Sequence, residues 1–118
     1  MSVVIPYLIR AYCDWIEDNK FTPYVLVNTN SSGVTAPKSF DSGGKMVLNI
    51  GSSATEGRAI TNEAISFKAR FQGKPHKIVV PCAAVLSIYA KETGEGMIFD
   101  NQKISPEKEE KSSLKILD

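Results

Sequence analysis

The side chains that could do chemistry are few and scattered. His76 is the one histidine among 118 residues. It follows Pro75 in the turn-like stretch "QGKPH", and no second metal ligand stands at useful spacing from it. A Ser-His-Asp or Cys-His arrangement would have to rest on this one residue, which a turn puts at the surface. Cys13 and Cys82 are far apart and each sits among apolar residues, so they read as two buried thiols rather than a disulfide. Gly43 and Gly44 lack the lysine and the strand-to-helix setting of a phosphate loop and read as a hairpin turn. Asp14, Glu17 and Asp18 gather on one side of a helical stretch, where carboxylates alone describe a solvated face better than a metal or acid–base site. The expectation is a protein that is not an enzyme, with no catalytic residue, metal site or cofactor.

Lys68 and Arg70 are the more informative pair. Two cations two residues apart on a strand point the same way. They form either a solvated outer face or a basic rim beside an apolar groove. Ala69 between them is small, and with the flanking Phe67 and Phe71 it lies on the face opposite the two cations. That pattern would leave shallow space under a sheet, where extended peptides often bind.

The whole-chain balance narrows the partners. Fourteen Lys and Arg against thirteen Asp and Glu leave a net charge of +1, which gives no general pull toward nucleic acid or membrane. Apolar runs stay well short of the ~20 residues that span a bilayer. The stretch "MSVVIPYLIRAYC" has no basic leader region and meets Pro6 and Arg10 early, so a cytoplasmic location with no membrane partner is expected.

The elements that must position these residues follow from periodicity. Pro6 suits the first turn of a helix. From it "YLIRAYCDWIEDNK" places Leu8, Ala11, Tyr12, Trp15 and Ile16 at helical spacing, with Ile9 and Cys13 beside the stripe. The apolar arc is wider than one core face requires, so the helix is expected to pack against both its own sheet and something else, such as a second subunit. Asn19 and Lys20 close it. Strands are predicted in "TPYVLVN", "KMVLNI", "AISFKARF", "KIVVP", Val85 to Ala90 and "MIF". The stretch Ser53 to Arg58 reads as loop, "QGKPH" as a turn, and Cys82 to Ala84 as a short turn. In "AISFKARF", Ile65, Phe67, Ala69 and Phe71 share one face, and Ser66, Lys68 and Arg70 the other. The fold class expected is mostly β with one N-terminal helix, its antiparallel sheet twisted and curled into a small Sm-like barrel. From about Asp100 the chain turns to mixed charge with little apolar content, a composition that predicts disorder. It closes on the apolar cluster Leu114, Ile116 and Leu117 around Lys115.

The stretches "PYLIRAYCDWIEDNKFTPYVLVN", "MVLNI", "ISFKARFQGKP" and "VPCAAVLSIYAKETGEGMIF" together resemble the stringent starvation protein B family across most of Pro6 to Phe99. These are bacterial adaptors that deliver ssrA-tagged, stalled-translation products to the ClpXP protease. The resemblance implies three parts: residues 1–99 for tag binding and dimerisation, 100–113 as a disordered linker, and 114–118 as a docking tail for ClpX. It implies a homodimer through Tyr7, Leu8, Ala11, Tyr12 and Trp15. It implies a tag-peptide groove at Ile50, Ala54, Phe67, Ala69 and Arg70. It further implies that Leu114, Lys115, Ile116 and Leu117 dock on the N-terminal domain of ClpX, and that the protein associates with ribosomes. The alternative from a different class is an Sm-like RNA-binding module. The strand pattern and the Lys68/Arg70 pair permit it; the balanced charge and the lack of paired exposed aromatics for base stacking weigh against it.

Overall fold

A buried stripe of Ile5, Ile9, Cys13 and Ile16 recurs every three or four residues and fixes helix α1 (Ile5–Asp18) against the rest of the protein. The computed structural model describes residues 4–37 and 41–99. Pro6 sits in the first turn of α1, where its missing N–H leaves no helix bond unmade. At the other end Asn19 is the cap and Lys20 turns to φ 66°. Lys20 N donates to Glu17 O, and Phe21 N donates to Ile16 O at 3.0 Å. These two bonds satisfy carbonyls that the last turn would otherwise leave without partners.

Among the described residues seven strands follow: β1 (Pro23–Asn28), β2 (Lys45–Asn49), β3 (Glu56–Ile60), β4 (Ala64–Phe71), β5 (Lys74–Pro81), β6 (Val85–Ala90) and β7 (Gly96–Ile98). A single turn of 3-10 helix, Cys82–Ala84, joins β5 to β6. All the pairings of these strands are antiparallel. They form two sheets, one ordered β2-β1-β6-β7 and the other β3-β4-β5. The mostly β architecture with one helix matches the expectation from sequence. The single curled sheet does not: the strands divide into a four-stranded and a three-stranded sheet, and no closed barrel is found among the described residues.

Both sheets and the helix share one hydrophobic core. Val25 and Val27 of β1, Met46 and Leu48 of β2, Ile65 and Phe67 of β4, Ile78 and Val80 of β5, and Val85 and Ile88 of β6 all point into it. α1 lies on β1 and β6. Fully burying a side chain such as Ile9 or Ile88 stabilises the fold by about 1.5–3 kcal/mol. Cys13 and Cys82 are free thiols in this core, and burial pushes the Cys13 thiol up to about 11.

Two local readings are revised. Glu56–Ile60, expected to be loop, pairs with β4 as an edge strand. The turn between β4 and β5 is shorter than "QGKPH": Gln72 and Gly73, both at positive φ, make a two-residue hairpin connection, and pairing resumes at Lys74. His76 therefore lies within β5 opposite Ala69, with its ring 5.8 Å from that of Phe71, rather than in a turn.

Candidate functional site

The inward face of β4 does not stay inside the core along its whole length. Ile65 is fully buried and Phe67 nearly so, whereas Ala69 and Phe71 are half-buried. β3 pairs with β4 only as far as Glu56 opposite Lys68. Beyond that point β4 continues through Ala69, Arg70 and Phe71 with β5 on one side. β2, the edge strand of the other sheet, runs nearby. The space between these two strand ends is a cleft of about 320 Å³. Tyr24 of β1, Val47, Leu48 and Asn49 of β2, Ala54 of the following loop, and Ala69, Arg70 and Phe71 of β4 line it. Its volume lies at the lower end of the about 300–1,000 Å³ that binding pockets occupy, enough for a few side chains and not for a large cofactor.

The chemistry of the cleft is simple. Most of its wall is apolar. Asn49 offers an amide and Arg70 a guanidinium, exposed and anchored by Nη1 donating to Gly73 O at 3.1 Å. No lining residue is an acid or a histidine. Two strand ends beside an apolar trough suit an extended chain, whose backbone can pair with a strand edge while alternate side chains enter the trough. The cation at the rim favours a carboxylate on that chain.

The loop carrying Ala54 is held from three directions. Ile50 N donates to Pro23 O at 3.0 Å. Ser52 N donates to Glu17 Oε2 at 2.6 Å. Arg58 Nη1 donates to Ile50 O at 2.7 Å and also to Glu17 Oε2 at 3.1 Å, and Arg58 Nη2 reaches Glu17 Oε1 at 3.2 Å. Within the loop, Gly51 O accepts from Ala54 N and from Thr55 Oγ1, each at 3.0 Å. Burial alone would raise the Glu17 carboxyl, but the Arg58 fork and the Ser52 amide outweigh it and hold the acid below its ordinary range. Glu17 is thus not part of a solvated acidic face, as its neighbours Asp14 and Asp18 are.

The outer face of α1 is the second feature. Val4, Tyr7 and Trp15 are 57%, 48% and 46% exposed, Ala11 is exposed, and Leu8 and Tyr12 are half-buried. The Tyr12 and Trp15 rings meet edge to face at 5.7 Å. Arg10 lies over the Tyr7 ring at 4.7 Å and donates to Ile60 O and Asn62 Oδ1, so it covers one flank of this face. The wide apolar arc therefore splits in two: Ile5, Ile9, Cys13 and Ile16 turn inward, and Tyr7, Ala11 and Trp15 turn outward.

Of the groove residues expected from sequence, the structure brings Ala54, Ala69 and Arg70 together in the cleft wall. Ile50 and Phe67 lie beneath it in the core, 0% and 3% exposed. Tyr24 of the cleft wall is not anticipated from the sequence, and Val47 and Asn49 enter only as part of the stretch "VLNI" that the family resemblance matches to the groove. Tyr24 and Asn49 are register partners on adjacent strands and Val47 lies two residues along β2. These outward positions of "PYVLVN" and "KMVLN" carried a signal in their alternation. Lys68 is exposed but is not a cleft residue. Leu114, Lys115, Ile116 and Leu117 lie outside the described residues, as does the whole of 100–118. Among the described residues, no helix is long and apolar enough to cross a membrane.

Comparison with known proteins adds a family context. A family model described as "Stringent starvation protein B" matches residues 3–116. The "Stringent starvation protein B homolog" of Haemophilus influenzae is 44% identical over 102 residues, which is 86% of this chain and 68% of that protein.

Proposed function

The chain belongs to the stringent starvation protein B family, and from that premise we propose that it is a non-enzymatic adaptor that holds ssrA-tagged polypeptides in its cleft and tethers them to the ClpX unfoldase for degradation by ClpXP. The observation that carries this reading is the cleft itself: an apolar trough between two strand ends, with small Ala54 and Ala69 in its wall and Arg70 at its rim. It is a place to hold a peptide, and nothing in its wall is suited to cutting one.

The adaptor works by concentration. A tag seated between β2 and β4 fixes the substrate, while Leu114, Lys115, Ile116 and Leu117 dock on the N-terminal domain of ClpX. Thirteen residues, Asn101 to Ser113, separate the cleft-bearing part from the docking tail, a short tether that keeps the substrate close to the unfoldase. The outward face of α1, with Tyr7, Leu8, Ala11, Tyr12 and Trp15, pairs with its twin in a second copy. A dimer presents two tails, and weak docking of each becomes avid binding of both. Translation stalls on the ribosome, in the cytoplasm, which is where this adaptor meets its substrates. A barrel-like closure of the two sheets in the Sm manner is no part of this mechanism.

A fluorescent ssrA peptide titrated with the full chain tests the reading, with anisotropy as the readout at low and high salt. Saturable binding that changes little with salt is expected. Failure to bind the peptide, together with RNA binding that falls steeply as salt rises, would favour the Sm-like RNA-binding alternative instead.

A further inference from the structure

The wall of the cleft that carries Ala54 has no strand partner of its own. It is the connection between β2 and β3, and its backbone has to be held in place by something else. The groups that hold it come from helix α1 and strand β3. Glu17, near the end of α1, receives the Ser52 amide at 2.6 Å. Arg58, on β3, grips the same carboxylate with both guanidinium nitrogens and adds a 2.7 Å bond to Ile50 O. The two anchoring points, Ile50 and Ser52, bracket Gly51, whose carbonyl in turn receives Ala54 N and Thr55 Oγ1.

The way Arg58 reaches this position is built into β3. Its register with β4 shifts between Glu56 and Ala59, and Gly57 takes φ 65°. An irregularity of this kind re-aims a side chain that a regular strand would send elsewhere. Here it turns Arg58 toward the helix and the loop. A bidentate arginine–carboxylate pair is also directional, so it fixes orientation as well as distance.

We infer that Glu17 and Arg58 are positioning residues for the cleft, a clamp from helix α1 and strand β3 that sets the Gly51–Thr55 connection and with it the place of Ala54. The inference rests on the peptide-cleft reading given above. Neither residue lines the cleft, so neither is expected to touch the peptide. Their effect passes through the loop.

The test uses the full chain with Glu17→Gln, Arg58→Lys, the double variant, and Val27→Ala as a core control away from the clamp. Equilibrium and stopped-flow binding of the fluorescent ssrA peptide are measured with thermal stability and with amide exchange at Ser52 and Ala54. Glu17→Gln is expected to weaken binding about five- to tenfold, mainly through faster dissociation, and to speed exchange at both amides. Arg58→Lys keeps the charge but loses the fork, and shifts the same readouts less. The double variant is no worse than Glu17→Gln, since the two residues act as one unit. Val27→Ala lowers stability and leaves affinity within about twofold. Glu17→Gln binding within twofold of the parent, or Val27→Ala weakening binding equally, overturns the inference. If the parent chain does not bind the peptide, the adaptor reading fails separately. The clamp is then judged by the Ser52 and Ala54 amides and the Ala54 and Ala69 methyl signals: movement in Glu17→Gln upholds it, and no movement overturns it.

Discussion

Ala69→Gln is the substitution that asks most directly whether the cleft is the peptide site. Ala69 lies where the inner face of β4 emerges from the core, so a longer side chain there projects into the cleft rather than into packed interior. The glutamine fills space that roughly four peptide atoms would otherwise occupy. At about 0.3 kcal/mol per displaced atom the loss is about 1.2 kcal/mol, or roughly eightfold in Kd. A cleft of about 320 Å³ has little room to re-seat a chain, so this value is a lower bound. The fold should tolerate the change, because Ala69 is half-buried and its pairing with His76 uses only backbone; the expected cost is within ~1 kcal/mol. Anisotropy with a fluorescent ssrA peptide gives the affinity, and thermal unfolding and size-exclusion chromatography report on fold and assembly. A well-folded Ala69→Gln protein that binds the peptide as tightly as the parent would refute the placement of the site.

Three further outcomes follow from the same geometry. Trp15→Glu combined with Leu8→Glu puts charge on the outward face of α1 and should convert a dimer to a monomer in light scattering; a dimer that survives would mean that another surface pairs the chains. Ile50→Val removes one buried methyl group below the cleft and should cost about 0.5–1.5 kcal/mol in urea unfolding, with peptide affinity kept within about twofold; a large loss of affinity at unchanged stability would make Ile50 a contact residue. Glu17 has a folded pKa below its ordinary value, so its contribution is present above the unfolded pKa and is lost as pH falls through the folded one. The stability gap between the parent and Glu17→Gln should therefore narrow on acidification below about pH 4.5, and a gap that stays constant down to pH 3 would contradict the pairing.

How much of this was legible in the sequence depends on how local each feature is. The alternation in "AISFKARF" was readable because side-chain period suffices to define it, whereas "AAVLSIYAKE" is ambiguous between helix and strand from its residues and is settled as the strand Val85–Ala90 only by its pairing with β1. β3 was not readable. It opens on Glu56, Gly57 and Arg58, which give no apolar alternation, and its register shift breaks the period of two on which a strand is recognised. The two apolar faces of α1 were visible as one over-wide arc, but Ile16 was grouped with Leu8, Tyr12 and Trp15. Only packing on β1 and β6 assigns it to the inner stripe with Ile9 and Cys13. The cleft wall shares Ala54, Ala69 and Arg70 with the residues expected for a groove, whereas Ile50 and Phe67 are buried core residues. Phe67 and Ala69 share a face, and the sequence does not say that the core ends between them. Glu17 looked like a surface acid because its partners, Ser52 and Arg58, are distant in the chain and meet it only in the folded protein.

The central claim is that one part of the chain holds the tag and another brings it to the unfoldase. Degradation of an ssrA-tagged reporter by purified ClpXP, at reporter concentrations well below its own KM, tests that directly with the full chain, a chain ending at Ser113, and Ala69→Gln. The account predicts that the full chain accelerates degradation and that neither variant does, while the chain ending at Ser113 still binds the tag. Equal acceleration by the full chain and the chain ending at Ser113 would contradict tethering through Leu114–Leu117, and no acceleration by the full chain would contradict the adaptor reading as a whole.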